Sequence, residues 1–503
     1  GDGRMLLNNL WRGVKMFFGT FMNNKTSQVT EQIDKNDLRV IEKRILDWLV
    51  SPERHEQITG ERYYLGRHDI LDRKRQAIGE DGELIQINNL PNNKIIDNQY
   101  RKLVDQKMNF LLGQKVVFDS ENEKYLTELQ NFFDESFDIL LKSICIDSLN
   151  CGVAWVHPYY DQNGEFKIKR ISPYEILPIW TDSEKTTLDM AIRLYEIKIY
   201  ENGTFKIQQK VEIYKSDGVS YYDFINNQLK ADTSKQSGNY FNMDGNGYNW
   251  GRIPLIAFRY NRHMIPLIRD LKSLQDALNM LLSDWQNNLQ EDSRNSILIL
   301  KNYDGANLGE FRQNLATYGA VKIREDGDVN LLKTEMNAEN YKMLAEIKKR
   351  EMTSIARGYD AAELRAGNNP NELQIKSVFN DINMDANGME LEFKFALNQL
   401  IWFINANLSN TNKGDYFKET VDIIFNKDQI VNESEIINDI KNSVGIVSTE
   451  TLLKNHPYVD DVKQEEEQLK KENDVQEDSY FSTGSSIEKQ STRQEGLKNL
   501  GTY

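Results

Sequence analysis

Residues 267–285 read LIRDLKSLQDALNMLLSDW, and this stretch decides how the rest of the chain is interpreted. Its large apolar side chains recur in alternating steps of four and three: Leu267, Leu271, Leu274, Leu278, Leu281 and Trp285. That spacing is a heptad seam, which a helix uses to pack along a partner helix. At ~1.5 Å of rise per residue, a helix from Pro266 to the polar run 290–293 is about 40 Å long. The stretch therefore predicts a shaft or a wall.

Two further helical patterns follow this one, after a compact mixed segment, 295–336. The mixed segment predicts a strand, a helix over 307–317, a second strand, a turn at Asp326-Gly327-Asp328 and a third strand. Apolar residues at helical spacing between Tyr341 and Ile355 predict the returning helix. A third helix, roughly 372–408, is about 50 Å long.

The region before the long helix predicts a sheet. From 153 to 260 the apolar residues alternate with period two, and hairpin-type turns separate the runs at 161–164, 201–203 and 216–218. This pattern predicts an antiparallel meander. The Gly/Asn-rich stretch 235–249 predicts a loop, and a helical pattern over 30–60 is expected to stop at Ser51-Pro52. The fold class is therefore α+β.

Composition restricts the possible functions. The chain has 503 residues and a formal net charge of −15, which argues against a simple basic nucleic-acid binder. It does not argue against a protein through which DNA slides, because like charge suppresses adhesion. The sequence contains no run of about 18 apolar residues, so no transmembrane helix is predicted. Cys145 and Cys151 lie in an apolar patch and are expected to be buried free thiols.

The two ends of the chain differ from its middle. Met5–Met22 is apolar with two basic residues, Arg12 and Lys15, and has no cleavage site of a signal peptide. The segment 1–37 is therefore interpreted as an amphipathic arm that packs on its own protein or a neighbour, with a membrane-surface role as the alternative. Residues 471–503 are expected to be disordered, because they are charged and Ser/Thr/Gly-rich with few apolar side chains.

The sequence lacks the common signatures of catalysis. It contains no G-x-x-x-x-G-K-[ST], no H-E-x-x-H and no Cys-x-x-Cys. The five histidines are scattered singly, so neither a metal site nor a cofactor is expected. These observations favour a structural or conduit protein over an enzyme.

Four short segments together resemble the portal proteins of tailed bacteriophages, in the form found in long-tailed phages of Gram-positive bacteria. They are Arg62-Tyr63-Tyr64 with Asp69-Ile70 and Lys74-Arg75, Leu103 to Lys107 with Leu111 to Gly113, Trp250 to Ile256, and Leu300 to Gly305. Each is weak alone, but their order and spacing around the long helices match the family. The resemblance covers roughly 40–460.

The resemblance implies a non-enzymatic ring, usually of twelve subunits, at one vertex of the capsid. Double-stranded DNA is packaged through its channel by a separate terminase and later ejected. The implied partners are the terminase large subunit, a head-completion adaptor, and the major capsid and scaffolding proteins, with no membrane. The protein is expected in the virion, after assembly in the host cytoplasm. The implied parts are a wing (38–261), a first stem helix (262–294), a clip (295–336), a second stem helix (337–358), a tunnel loop (359–373), a long wing and crown helix (374–408) and a crown (409–470).

Site residues follow from the same resemblance. The DNA-channel residues would be Lys342, Lys348, Lys349 and Arg350. The tunnel loop would offer Asp360, Glu363, Arg365, Asn368, Asn369 and Asn371. The clip would present Tyr303, Asp304, Glu310, Arg312, Arg324 and Asp326 to partners. A glycine inside a helix costs about 1 kcal/mol relative to alanine, so Gly388 needs an explanation. The resemblance implies that Gly388 kinks the long helix.

Each of these assignments has a plainer alternative. The lysines could form a solvated outer face with salt bridges between subunits to Glu346 or Glu351, and the tunnel loop could be an ordinary surface loop. Gly388 could instead allow a tight helix contact. At the level of the whole protein, the alternatives are a helical scaffold or tail-assembly protein without a DNA conduit, or a DNA-processing enzyme.

Overall fold

The computed structural model describes residues 37–78, 82–88, 90–201, 203–243, 245–292, 297–303, 323–332, 338–360, 372–427, 433–459, 462 and 465–471. The chain divides into two compact units, 1–359 with 381–427, and 360–380 with 428–503. The predicted amphipathic arm up to residue 36 and the predicted disordered tail from residue 472 onward lie outside the described residues, while Lys471, the first residue of that predicted tail, is helical.

The described helices and strands are both numbered in chain order. The helices are α1 (Leu38–Leu49), α2 (Pro52–Tyr64), α3 (Gln99–Leu112), α4 (Glu123–Gln130), α5 (Glu135–Cys151), α6 (Ile268–Asp292), α7 (Ala338–Ile355), α8 (Glu372–Asn410), α9 (Glu433–Ser443) and α10 (Thr449–Lys454). The strands are β1 (Gln76–Ile78), β2 (Leu84–Gln86), β3 (Val117–Asp119), β4 (Val153–Tyr160), β5 (Phe166–Ile171), β6 (Ile176–Trp180), β7 (Leu188–Glu201), β8 (Thr204–Lys215), β9 (Gly218–Ile225), β10 (Gln228–Ala231), β11 (Phe241–Met243), β12 (Asn246–Tyr248), β13 (Ile256–Arg259), β14 (Ile297–Tyr303), β15 (Ile323–Leu332) and β16 (Asp422–Ile424).

The predicted antiparallel meander is confirmed, but it is split between two sheets. Five consecutive strands form one sheet in the order β10-β9-β8-β7-β6, and a second sheet has the order β13-β4-β5. The stretch predicted as a loop, 235–249, contains the hairpin β11–β12, so that prediction is wrong. Its aromatic residues explain the difference, because Phe241 packs 4.7 Å from Trp250, measured between ring centroids.

Helix α1 covers part of one face of the five-stranded sheet. Its buried residues Ile41 and Ile45 pack against alternate residues of β7 and β8. The β7 residues are Met190, Ile192 and Leu194, and the β8 residues are Val211 and Ile213. Since side chains two apart on a strand share a face, these residues define the face that α1 covers.

The sequence predicts that the helical pattern stops at Ser51-Pro52, but the chain stays helical beyond these residues. Instead Ser51 caps a new helix, α2, by accepting a hydrogen bond from the Arg54 N–H at 3.2 Å. Pro52 occupies the first turn of α2, where its missing N–H would have had no helical partner. The expected stop is thus a boundary between two helices, and α2 packs on α5 at Gly60.

The small pair β14–β15 differs from its predicted form. Ile297 to Lys301 pair with Leu332 to Asp328, but Tyr303 pairs with Ile323. Between those two registers β14 has only Asn302, whereas β15 has the four residues 324–327. The predicted turn at Asp326-Gly327-Asp328 is therefore wrong, because this stretch is a bulged part of one strand. The predicted helix over 307–317 lies outside the described residues.

Helix α8 runs without interruption through Gly388. A Cβ added at Gly388 would meet no atom within 4 Å, and the residue is exposed. The alternative of a tight helix contact at Gly388 is therefore wrong within the described chain. The kink stays a prediction.

Replacing Gly388 by alanine should raise the free energy of unfolding by about 1 kcal/mol, because alanine loses less backbone entropy in a helix and has room here. Urea denaturation of the two proteins, followed by circular dichroism, measures the change. A lower stability for Gly388→Ala would contradict this expectation and would favour a bend that requires glycine.

The second unit contains α9, α10 and the first residues of α8. Ser448 caps α10, where its Oγ accepts a hydrogen bond from the Thr451 N–H at 3.3 Å. This unit exposes Val444, Ile446 and Val447.

Candidate functional site

The most buried row on the long helix α6 is polar. Four residues spaced by four have side chains that are almost wholly inaccessible to solvent, with exposed fractions of 0 to 2%. They are Gln275, Asn279, Ser283 and Asn287, and we call them the polar row. The heptad leucines contribute less to this burial, since Leu267, Leu271 and Leu278 are buried but Leu274 and Leu281 are only half-buried.

The polar row binds an extended segment, 91–98, which we call the strap. Each member accepts a backbone N–H from the strap or from the start of α3. The bonds are Asn93 N to Asn287 Oδ1 at 2.7 Å, Ile95 N to Ser283 Oγ at 2.9 Å, Asp97 N to Asn279 Oδ1 at 3.1 Å and Tyr100 N to Gln275 Oε1 at 3.0 Å. Alternate strap residues thus meet every fourth residue of the helix.

The geometry of the two chain segments explains this match. Four helical residues rise about 6.0 Å, and two extended residues advance about 6.6 Å. The polar row therefore supplies the backbone partners that the strap would otherwise find in a neighbouring strand. Sequence analysis missed this arrangement. Its signal in the sequence is the run of amide and hydroxyl side chains that continues the spacing of four from Leu267 and Leu271.

The predicted cationic face of α7 is not uniform. Lys349 is half-buried, and its Nζ lies 2.6 Å from the carboxylate of Asp97 in the strap. Lys342 is exposed and has Glu346 of its own helix 4.0 Å away. Arg350 is also exposed, whereas Lys348 is half-buried. The structure therefore ties one predicted DNA-channel residue to the strap and leaves Lys342 and Arg350 accessible.

Helix α7 is fixed at both ends. At its start the rings of Tyr341 and Trp285 stack with centroids 6.0 Å apart. Just past its end, the Gln106 amide holds the backbone of Tyr359, donating to its carbonyl at 2.8 Å and accepting from its N–H at 3.1 Å. This contact sets the point at which the predicted tunnel loop leaves the stem.

Two buried ion pairs connect the sheet and helix region to α8. Lys107 is 3% exposed, and its Nζ lies 2.6 Å from Asp385. Burial lowers the pKa of Lys107, and the nearby carboxylate of Asp385 opposes that shift. Arg259, also 3% exposed, lies 2.6 Å from Glu392. Buried charges need such partners, so these contacts fix the position of α8.

The remaining predicted site residues are only partly described. Asp360 begins the segment after α7, while Glu363, Arg365, Asn368, Asn369 and Asn371 lie outside the described residues. In the predicted clip, Tyr303 ends β14, and Arg324 and Asp326 lie in the bulge of β15. Asp304, Glu310 and Arg312 also lie outside the described residues.

The described part of the chain also bears on metal binding, cysteine chemistry and membrane insertion. There, no group of three or more His, Cys, Asp or Glu side chains could hold a metal ion. The two cysteines are free and buried, as predicted. Of the helices that the structure describes, none combines the length and the apolar character that crossing a membrane requires.

Comparisons with known proteins identify relatives of this chain. The model of the family "Phage portal protein, SPP1 Gp6-like" matches residues 52–478. The portal protein of Bacillus phage SPP1 is 27% identical over 457 residues, which cover 90% of this chain and 89% of that protein. The portal protein of Clostridium phage phiCD119 is 27% identical over 438 residues, which cover 84% and 94% respectively. Among solved structures, a chain from the neck of an empty GTA particle matches with a TM-score of 0.41 and 10% identity, over 70% of this chain and 88% of that chain.

Proposed function

Because this chain belongs to the SPP1 Gp6-like family of phage portal proteins, we propose that twelve copies form the ring through which a terminase packages double-stranded DNA. The family match over 52–478 carries this proposal. A portal is a structural component of the virion capsid, built as a homo-oligomeric ring. Family membership favours this function over a scaffold or tail-assembly protein and over a DNA-processing enzyme.

We assign the parts of a portal to this chain in sequence order. We assign 38–261 to the wing, 262–294 and 337–358 to the two stem helices, and 295–336 to the clip. The tunnel loop is 359–373, the long wing and crown helix is 374–408, and the crown is 409–470. In this assignment the strap belongs to the wing, and the polar row attaches it to the first stem helix.

Exposed apolar side chains on the stem helices support packing between subunits. Six of them are 41 to 52% exposed: Met280, Leu289, Met343, Leu344, Ile347 and Ile355. Apolar surface in such numbers on paired helices is typical of an interface. Neighbouring stems of a closed ring would cover these side chains.

Electron microscopy of the purified protein tests the ring. Rotational class averages should show close to twelve-fold symmetry around a hole wide enough for a DNA duplex. Assembly in the presence of scaffolding protein, followed by crosslinking, is the control for a preparation that stays monomeric. Smaller assemblies without an axial hole under both conditions would contradict the proposal.

The exposed cations Lys342 and Arg350 are the strongest candidates for transient contact with DNA phosphate. Lys349 is a weaker one, because its charge already pairs with Asp97. We also propose that the tunnel-loop residues contact DNA, that the clip residues dock the terminase large subunit and then the head-completion adaptor, and that the wing meets the major capsid and scaffolding proteins. No cofactor is expected.

Lys342→Glu combined with Arg350→Glu should lower the yield of packaged DNA several-fold and leave ring assembly unchanged, because negative charge at the channel wall repels phosphate. The measurement is nuclease-protected DNA per capsid. Lys43→Glu is the matched control, since Lys43 also has an acidic partner four residues away and is similarly exposed, at 72% against 74% for Lys342. Equal yields from all three proteins would show that these cations do not face the DNA.

A further inference from the structure

The hairpin of β7 and β8 extends beyond the rest of its sheet. In the described chain, β6 pairs with β7 no further than Arg193, and β9 pairs with β8 only from Gln209 onward. The outer residues 197–201 and 204–208 therefore pair only with each other. We call this outer part the hairpin arm.

One face of the hairpin arm carries three large exposed apolar side chains next to Lys198. Tyr200, Phe205 and Ile207 are 66, 74 and 63% exposed. Tyr200 and Phe205 are direct cross-strand partners, with ring centroids 5.0 Å apart. The pairing register is constant from Ala191 to Glu201, so this face continues the face of Met190, Ile192 and Leu194.

Helix α1 covers the inner part of that same face and crosses its strands. Near the middle of α1, Glu42 Oε1 accepts a hydrogen bond from the Leu229 N–H at 2.7 Å. Leu229, Phe224, Gln209 and Glu196 are successive cross-strand partners, and such a set across the sheet is called a row here. Just after α1, Arg54 donates to the Tyr174 carbonyl, close to the row of Ile176 and Arg193.

Going backward along α1, the chain therefore crosses the sheet from the β6 side to the edge strand β10. Glu42 contacts the row of Glu196, and the described chain begins five residues before Glu42, at Asp37. The next five rows outward are those of the hairpin arm. The uncovered apolar face therefore lies near the point from which the segment preceding α1 departs.

The preceding segment has the sequence of a covering helix. Its apolar residues Leu7, Leu10, Val14, Phe17 and Phe21 recur in steps of three and four. The fourteen residues 23–36 can span up to ~46 Å when extended. The distance from the Glu196 row to the Tyr200 row is about 13 Å, so the connection is long enough to fold back.

We propose that residues 5–22 of the same chain dock as an amphipathic helix on the hairpin arm and cover Tyr200, Phe205 and Ile207. The docked helix continues the layer that α1 begins. Two helices of one chain then cover the full length of one sheet face.

Cysteine labelling in the full chain tests this docking. Ile207→Cys places a thiol on the covered face, and Lys206→Cys places one on the opposite face as the matched control. The native thiols Cys145 and Cys151 are buried and contribute little background. Maleimide alkylation rates are compared with and without the triple change Leu10→Ser, Val14→Ser and Phe17→Ser.

The triple change should raise the alkylation rate at Ile207→Cys by about tenfold, which corresponds to ~1.4 kcal/mol of docking free energy, and should leave Lys206→Cys unchanged. Equally fast labelling of Ile207→Cys in both backgrounds would mean that nothing covers the arm. Equally slow labelling would mean that another surface covers it. Either result would overturn the proposal.

Disulfide crosslinking identifies the chain that supplies the helix. The pair Phe17→Cys and Ile207→Cys should give a crosslink within one chain, seen as a faster-migrating monomer on a denaturing gel. Phe17→Cys with Lys206→Cys is the control and should give little product. A crosslinked dimer as the main product would assign the helix to a neighbouring copy and overturn the assignment to the same chain.

Discussion

Replacing Asp385 by alanine should lower the free energy of unfolding by about 3–5 kcal/mol, because Lys107 would stay buried without its counter-charge. The Nζ of Lys107 lies 2.6 Å from Asp385, and the Tyr260 hydroxyl donates to the same carboxylate at 3.1 Å. Alanine would leave both donors unsatisfied in a buried place. Urea denaturation of the purified proteins measures the loss.

The double variant Lys107→Met with Asp385→Leu is the control. It removes both charges and fills the space with apolar groups, so most of the lost stability should return. If the double variant is as unstable as Asp385→Ala, shape rather than charge determines the effect. The substitution Arg39→Ala serves as a surface reference, since its pair with Asp37 is 87% exposed on the arginine side and should contribute little.

Replacing Gly60 by alanine should destabilise the protein by about 3 kcal/mol, since the added methyl group has no space. An ideal Cβ at Gly60 would lie 1.9 Å from the backbone oxygen of Asn150. Both residues belong to packed helices, α2 and α5, and the Asn150 side chain accepts a hydrogen bond from Tyr100 at 2.8 Å. The backbone of α5 would therefore have to move.

The same substitution at Gly388 gives the opposite sign, which makes the pair a direct comparison. Both glycines lie inside helices, so the change in helix propensity is the same. The difference between the two variants thus reports the contact at Asn150 alone. A Gly60→Ala protein that unfolds at the same urea concentration as the parent would show that α2 and α5 can separate at little cost.

The large helices and strands were predictable because the spacing of their apolar residues follows the period of the helix or of the strand. The steps of four and three from Leu267 to Trp285 predicted α6, and the alternation across 188–225 predicted the meander. The polar row was not predictable by the same reasoning. Burial is inferred from apolar side chains, whereas Asn279 is buried because its amide hydrogen-bonds to Asp97 of the strap and to His68, 182 and 211 residues away along the chain.

Two local errors have a common physical cause. Ser51-Pro52 and Asp326-Gly327-Asp328 both carry residues that favour a change in chain direction, and both were interpreted as ends. In the structure Pro52 begins a helix, and the Asp-Gly-Asp stretch is absorbed as a bulge opposite Asn302. Local turn chemistry does not decide what the next residues pair with. Of the candidate site, the cations of α7 could be located on one helix, but their neighbours could not.

The strap also has a mechanical consequence. Shifting the register of α6 by one residue against the strap would rotate the polar row by about 100° about the helix axis and break its hydrogen bonds together. Partners would meet again only after a shift of about one helical turn. Small axial displacements are therefore opposed by the whole row at once, and the strap and the helix move as one body. In the proposed portal, where α6 is the first stem helix and the strap belongs to the wing, a pull exerted on α6 by moving DNA would be delivered to the strap backbone at Asn93, Ile95 and Asp97.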